Sequence, residues 1–310
     1  MAWFPIGLHE RAYGRAALRT ARDAQFSEQR LRGHPSRRHP QSRNRMPIRE
    51  IRVRSLGELI DAATPAEPDP DTGRHRDGGV YRGVRHARWP LLTSLDRLGG
   101  VDRPHAKVEL EAHILRNFIR YARPYLPAGA HDDWDALVAA QHHGVPTRLL
   151  DWTYSPLIAA HFATLPRREE SDRAVWRLDW RPVHRHFGFP ELALGVDDLE
   201  RSLRRGERVT PWKLFEDDPA GRPFACMLEP ASVDPRIAEQ SAVFTLTSDK
   251  KAPFDVFLAR HGLEHALTRF VIGTEDVARV RDQLDMVGAD ERRLFPDLDG
   301  VAAKLRRYYA

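Results

Sequence analysis

Apolar residues recur at helical spacing over much of the chain. Residues 109–125 place Leu110, Ile114 and Phe118 along one face of a predicted amphipathic helix. Another predicted helix follows Ser155, a candidate N-cap, and has a proline in its first turn. The same spacing predicts helices over residues 55–63, 133–141, 155–165, 196–205, 275–286 and 301–309.

Shorter apolar runs, bounded by polar or glycine-rich segments, predict strands. Residues 80–84 emerge from Gly78 and Gly79, and residues 147–152 are short enough for a buried strand. Further strands are predicted over residues 48–54, 174–180, 225–228, 242–246 and 270–272, whereas residues 254–260 and 266–270 fit either a helix or a strand. Because strands and helices mix without regular βαβ spacing, the sequence predicts an α+β fold in a single mixed domain.

Polar side chains crowd into residues 141–151, between two apolar elements. The stretch contains Gln141, His142, His143, Thr147, Arg148 and Asp151. Burying so many polar groups is unfavourable unless they pair with each other or meet a ligand. Two interpretations stay open: a loop held together by internal hydrogen bonds, or a ligand-binding or catalytic site.

Charge separates the chain into a basic tail and a nearly neutral body. Residues 1–45 hold ten arginines and three acidic residues, which gives +7, so the remaining 265 residues carry −2 of the total of +5. Residues 30–45 have little apolar content and much arginine, proline and serine, and we expect residues 1–45 to be disordered and residues 46–310 to form the folded domain. Three interpretations of the tail remain: translated sequence upstream of a start at Met46, an arm that binds nucleic acid, or a targeting peptide, although it lacks a secretory apolar core.

The remaining composition narrows the class of protein. The single cysteine, Cys226, excludes an internal disulfide and a cysteine zinc cluster. No third ligand stands at a recognisable spacing from His142 and His143, so we expect no metal. No apolar run reaches the length of a membrane span, and a cytoplasmic protein fits this composition.

Three motifs occur in an order and spacing that resemble the FRG-domain family, which is named for an aromatic-Arg-Gly motif. The first is Tyr81-Arg82-Gly83, the central one runs from Gln141 to Phe162, and the last is residues 294–300. The resemblance covers roughly residues 47–305. It implies membership of a fold more than a defined activity.

A weaker resemblance, to toxin-type ADP-ribosyltransferases, supplies a mechanism. In that family a strand ends in Arg-Gly, as Arg82-Gly83 does here, and a second strand resembles residues 151–155. The resemblance implies a split β core packed by helices and NAD as a substrate. The sequence departs from the family at Ala242, where the catalytic glutamate should stand after Gln240-Ser241.

These resemblances assign roles to individual residues. Arg82 would hold phosphate; Trp152 or Tyr154 would stack on a base or on nicotinamide, and Thr153 with Ser155 would support the sugar-binding strand. Asp151 would supply the missing carboxylate, and His142 or His143 a base. The candidate catalytic residues are His142, Asp151 and Gln240, and the candidate nucleotide-binding residues are Arg82, Gly83, Arg148, Trp152, Thr153, Tyr154 and Ser155.

Structural roles compete with several of these assignments. Arg82 could pair with Asp151, Arg148 could form a core ion pair, and Ser155 could serve only as an N-cap. For the whole chain, the alternatives to an NAD-consuming toxin or defence effector are a non-catalytic module that binds nucleic acid or protein, and a nuclease-like toxin using His142 and Asp151. The nearly neutral body counts against extended nucleic-acid binding by the domain itself.

Overall fold

The computed structural model describes residues 47–98, 107–122, 124–125, 133–166, 170–203, 210–211, 223–229, 239–249 and 252–309. The predicted tail, residues 1–45, lies outside these residues. The strands are β1 (Arg49–Val53), β2 (Val80–Val84), β3 (Leu150–Thr153), β4 (Arg173–Leu178), β5 (Ala225–Leu228), β6 (Ala242–Thr247) and β7 (Leu267–Ile272). The α-helices are α1 (Leu56–Ala63), α2 (Lys107–Ala122), α3 (Asp133–His142), α4 (Pro156–Ala163), α5 (Trp180–Phe187), α6 (Val196–Leu203), α7 (Phe254–Arg260), α8 (Val277–Met286), α9 (Glu291–Leu294) and α10 (Leu298–Tyr308).

The strands form one mixed seven-stranded sheet in the order β1-β7-β4-β2-β3-β6-β5. β1 runs parallel to β7, and every other neighbouring pair is antiparallel. Strands that are distant in sequence are therefore neighbours, as β2 and β4 show. The prediction of an α+β fold in a single mixed domain is confirmed.

Side chains alternate between two hydrophobic clusters on the two faces of the sheet. In β4, Val175 packs in a cluster with residues of α1, α4 and α8, whereas Ala174 and Trp176 belong to the larger cluster, which includes α3, α5 and α7. The alternation follows from the period of two in a strand. Because both faces are covered, the central strands are buried on both sides.

Tertiary contacts determine the secondary structure of the segments whose sequence patterns fit either a helix or a strand. Residues 254–260 form a helix and residues 267–272 a strand, paired on one side with β1 and on the other with β4. Trp180 starts α5 and does not extend β4, since the Asp179 side chain accepts a hydrogen bond from the Arg181 N–H at 3.3 Å and caps the helix. Within the described part of the chain, no helix is both long and apolar enough to cross a bilayer.

Candidate functional site

The candidate site lies where β2 and β3 separate. β2 pairs with β4 along its whole length, but it pairs with β3 only at Tyr81 and Thr153. Beyond that point the Arg82 side chain reaches across: its Nη1 donates a hydrogen bond to the Asp151 backbone oxygen at 2.6 Å and lies 3.4 Å from Asp151 Oδ2. A side chain thus takes up part of the bonding that strand pairing would otherwise supply.

A short chain of hydrogen bonds orients the Asp151 carboxylate. Gln141 Nε2 donates to Asp151 Oδ1 at 2.6 Å, and the Thr147 hydroxyl donates to Gln141 Oε1 at 2.5 Å. The Leu149 N–H in turn donates to Thr147 Oγ1 at 3.1 Å. The loop interpretation of the polar block is therefore correct for Gln141 and Thr147, which are both buried.

Arg82 and Asp151 retain bonding capacity. The Asp151 side chain is 49% exposed and that of Arg82 15% exposed. The hydrogen bonds of Arg82 to described residues all come from Nη1, so its Nε and Nη2 have no acceptor among them. A half-exposed carboxylate beside a guanidinium with spare donors can bind a ligand that carries both an anionic group and hydroxyl groups.

Gly83 contributes to the site through packing. A Cβ at this position would lie 1.9 Å from the Ala159 carbonyl oxygen and 2.5 Å from the Ala163 nitrogen. α4 can therefore rest directly on β2 only because the residue is glycine. The Arg-Gly pair thus directs an arginine to one face of the sheet and a helix to the other.

The residues at the end of β3 differ in how far they are buried. Trp152 is buried, and its Nε1 donates to Thr245 Oγ1 at 2.9 Å. Thr153 Oγ1 accepts from the Ser155 N–H at 3.1 Å, and the Ser155 side chain caps α4 by accepting from the Ile158 N–H at 3.4 Å. Tyr154 is exposed, and partial burial together with the Glu229 carboxylate raises the pKa of its phenol to about 12. Of the two candidates for stacking, Tyr154 is the accessible one.

Arg148 forms a buried ion pair. Its Nε donates to Glu111 Oε2 at 2.5 Å and its backbone N–H to Glu111 Oε1 at 2.9 Å, and the Glu111 side chain is 1% exposed. Burial lowers the pKa of the Arg148 guanidinium despite the neighbouring carboxylate. These contacts tie α2 to the start of β3, which is a structural role.

The two remaining candidate catalytic residues are His142, at the end of α3, and Gln240, in the turn before β6. His142 ends α3, and its ring meets that of His143 edge-on at 5.4 Å, so the two rings face in different directions. Gln240 Nε2 donates to the Leu294 carbonyl oxygen at 3.0 Å, which connects the turn before β6 to the C-terminal segment. The contacts of the structure thus join Arg82 to Asp151 and connect Gln240 to another element.

Arg148 also lines a small cavity. Its volume is about 20 Å³, room for about one water molecule, and its walls include Lys107, Arg148 and Phe254. Burial and the nearby Arg148 charge lower the pKa of Lys107, which pairs with Asp96, to about 8. The cavity is too small for a nucleotide. No group of three or more His, Cys, Asp or Glu side chains suited to a metal ion occurs among the described residues.

A comparison with protein families matches the part of the chain that contains Arg82 and Asp151. The family model of the FRG domain matches residues 77–173. This FRG segment contains β2, β3 and the helices between them, and with them Arg82, Gln141 and Asp151. It covers less than half of the chain, so the elements from α5 onward lie outside the match. No curated protein and no solved structure gave a significant match.

Gln141 was present in the polar block of the sequence but received no role there. The signal was its spacing from Thr147 and Asp151, which places an amide at a helix end and a carboxylate in the next strand. Spacing alone did not distinguish Gln141 from the neighbouring histidines, since the packing of α3 decides which side chain at its end is buried. Gly144 has a φ of +76°, a conformation that favours glycine.

Proposed function

We propose that the chain binds a nucleotide at the gap between β2 and β3, and that this nucleotide is NAD. The supporting observation is the direct contact between Arg82 and Asp151 where the two strands separate. A guanidinium and a carboxylate held side by side match the phosphate and the ribose hydroxyls of a nucleotide. Tyr154, exposed at the end of β3, offers a ring for stacking.

We infer that the reaction is cleavage of the bond between nicotinamide and ribose, as in ADP-ribosyl transfer or NAD hydrolysis. Nicotinamide leaves with the bonding electron pair, and positive charge develops on the anomeric carbon. A nearby carboxylate stabilises that charge, and Asp151 is the candidate. Water or an acceptor hydroxyl then bonds to this carbon, and its proton passes to the carboxylate. An enzyme of this kind would suit a toxin or defence effector.

Ala242 marks the main departure from ordinary transferase chemistry. It pairs in register with Thr153, at the opposite end of β3 from the Asp151 contact with Arg82. Loss of one electrostatic stabiliser commonly costs about 10²–10³ in rate. Ala242→Glu should therefore raise the rate of nicotinamide release by about that factor, and Ala242→Gln, which has similar size without the charge, should not.

The experiment is to incubate the purified full chain with NAD and measure free nicotinamide by chromatography. The wild type should turn over slowly, and Asp151→Asn should lower the rate by at least about 10²-fold. Asparagine keeps an oxygen that can accept from Gln141, so the fold should survive. If neither the wild type nor Ala242→Glu releases nicotinamide, the enzymatic proposal is wrong and a non-catalytic binding module replaces it.

A further inference from the structure

Trp176, in β4, carries a buried indole N–H group that lacks a hydrogen-bond acceptor. The side chain is 1% exposed, and its Nε1 has no acceptor among the described residues. The indoles of Trp152 and Trp180 differ, since they donate to Thr245 Oγ1 and to the Gly78 carbonyl oxygen, each at 2.9 Å. Leaving a buried donor without an acceptor is unfavourable, so the Trp176 N–H indicates a place where a ligand can supply that acceptor.

Arg82 is the cross-strand neighbour of this indole. Trp176 pairs in register with Arg82 between β4 and β2, so the two side chains lie on the same face of the sheet. The Cβ atoms of directly opposed residues in antiparallel strands are about 4.5–5.5 Å apart. An indole and a guanidinium that start from such positions are long enough to contact the same ligand.

Arg82 has two further donors on one edge of its guanidinium. Its hydrogen bonds to Asp151 leave only from Nη1. The edge formed by Nε and Nη2 is a planar fork, which suits two oxygens of a phosphate at once. Together with Trp176 Nε1, this edge supplies three N–H donors and no acceptor, and such a set of donors matches an oxyanion.

Two ion pairs flank the indole. Arg82 lies beside Asp151 on one side. On the other side Arg269, whose guanidinium carbon lies 5.3 Å from the centre of the Trp176 ring, pairs with Glu50. Because each guanidinium already has a carboxylate neighbour, an added anion is recognised through directed N–H donors more than through excess positive charge. This favours an oxyanion with several acceptor oxygens over a simple ion such as chloride.

We propose that Arg82 and Trp176 form a subsite for one phosphoryl group, which accepts two hydrogen bonds from the Nε–Nη2 edge of Arg82 and a third from Trp176 Nε1. Trp176 is then a specificity-determining residue for phosphorylated ligands. The inference deepens the proposed function and rests on it for the whole ligand: in NAD, the group bound here is one phosphate of the pyrophosphate.

The first test observes the indole directly by nuclear magnetic resonance. The indole nitrogens of the seven tryptophans of the full chain are isotopically labelled, and inorganic phosphate is added. The Trp176 proton signal should move downfield, because its N–H gains an acceptor. The Trp180 signal should stay in place, because that N–H already donates to Gly78. Chloride at equal ionic strength should move neither signal.

The second test measures phosphate affinity by calorimetry on variants of the full chain. Trp176→Phe keeps an aromatic ring but removes the N–H, and it should weaken phosphate binding at least about tenfold. Arg82→Lys keeps the charge but lacks the planar fork, and its effect should be of similar size. Trp180→Phe is the matched control and should leave the affinity unchanged. Thermal melting shows whether each variant is folded; if Trp176→Phe is not, the Trp176 signal in the wild type and in Arg82→Lys decides.

Three outcomes contradict the subsite: phosphate does not bind, it binds without moving the Trp176 signal, or it binds Arg82→Lys as tightly as the wild type. Adding NAD in place of phosphate separates this inference from the proposed function. If phosphate moves the Trp176 signal but NAD does not bind, the subsite is supported and the assignment of NAD is wrong. If NAD binds and the Trp176 signal stays in place, the nucleotide site is supported and the subsite is rejected.

Discussion

At the scale of single residues, the structure distinguishes two arginines that the sequence treated alike. Arg148 is paired with a fully buried carboxylate, whereas Arg82 is paired with a half-exposed one. Removing one member of a buried ion pair leaves an uncompensated charge. We therefore expect Arg148→Met to lower the free energy of unfolding by about 3–5 kcal/mol, and Arg82→Ala to cost about 1–2 kcal/mol.

Urea denaturation checks this difference. The double replacement of Arg148 by Met and Glu111 by Leu should recover most of the stability lost by the single change, since no charge is then left buried. An Arg148→Met protein as stable as the wild type would show that the pair is not needed for folding. Arg148 would then return as a candidate ligand-binding residue.

His161 predicts a pH dependence of stability. It is fully buried in α4; burial above all, and then the charge of Arg281, lowers the pKa of its imidazole to about 4. In the unfolded chain the pKa is about 6.5. Below that pH the unfolded chain binds a proton that the folded protein excludes, so stability is complete above about pH 6.5 and falls towards pH 4, by up to about 3 kcal/mol.

The measurement is the free energy of unfolding at several pH values between 7.5 and about 4, for the wild type and for His161→Gln. The variant should be less stable overall but should lack this part of the pH slope. Burial also lowers the pKa of His184, and its contribution cancels because both proteins contain it. Equal slopes in the two proteins would show that His161 is not kept neutral by the fold.

At the scale of the elements, the contact between β2 and α4 depends on Gly83. A methyl group there would collide with the backbone of α4, so Gly83→Ala should lower the free energy of unfolding by about 3 kcal/mol or more. Gly57→Ala, in α1, is the control: its nearest neighbour would be Ser55 Oγ at 3.8 Å. It should stabilise the protein by up to about 1 kcal/mol. Thermal or urea denaturation of both variants tests this prediction. A Gly83→Ala protein as stable as the wild type would mean that α4 can move away from the sheet.

Helices with a regular apolar stripe were predictable, and so were strands bounded by glycines. The predicted strand over residues 80–84 agrees with β2, and the predicted helix over residues 133–141 ends one residue short of α3. α5 was missed, because its start depends on a cap at Asp179 that ends an alternating strand pattern. α9 is a single turn, too short to show a period.

At the scale of the whole molecule, the order of the strands was not predictable. β1 and β7 are at opposite ends of the chain yet pair in parallel, and β2 meets β3 at only one position. The separation of β2 from β3 leaves no mark on either strand's own sequence. The polar block in the sequence indicated a site. Which of its residues are buried in structural contacts and which are accessible to a ligand became clear only from the fold.

The basic tail carries a further prediction at this scale. Residues 1–45 hold ten arginines, and Leu31 is the only apolar side chain in residues 30–45, so we expect the tail to contribute little to folding. A protein that starts at Met46 should melt within a few degrees of the full chain in differential scanning calorimetry. A larger fall would show that the tail packs on the body.

The most direct test of the central claim is the affinity for NAD, measured by isothermal titration calorimetry on the full chain. We predict that the wild type binds and that Arg82→Ala and Asp151→Asn each weaken binding at least about tenfold, while both variants stay folded. Arg52→Ala is the control, because Arg52 lies on β1, three positions from β2 in the sheet. Absence of binding to the wild type, or equal binding to wild type and Arg82→Ala, would contradict a nucleotide site at the gap between β2 and β3.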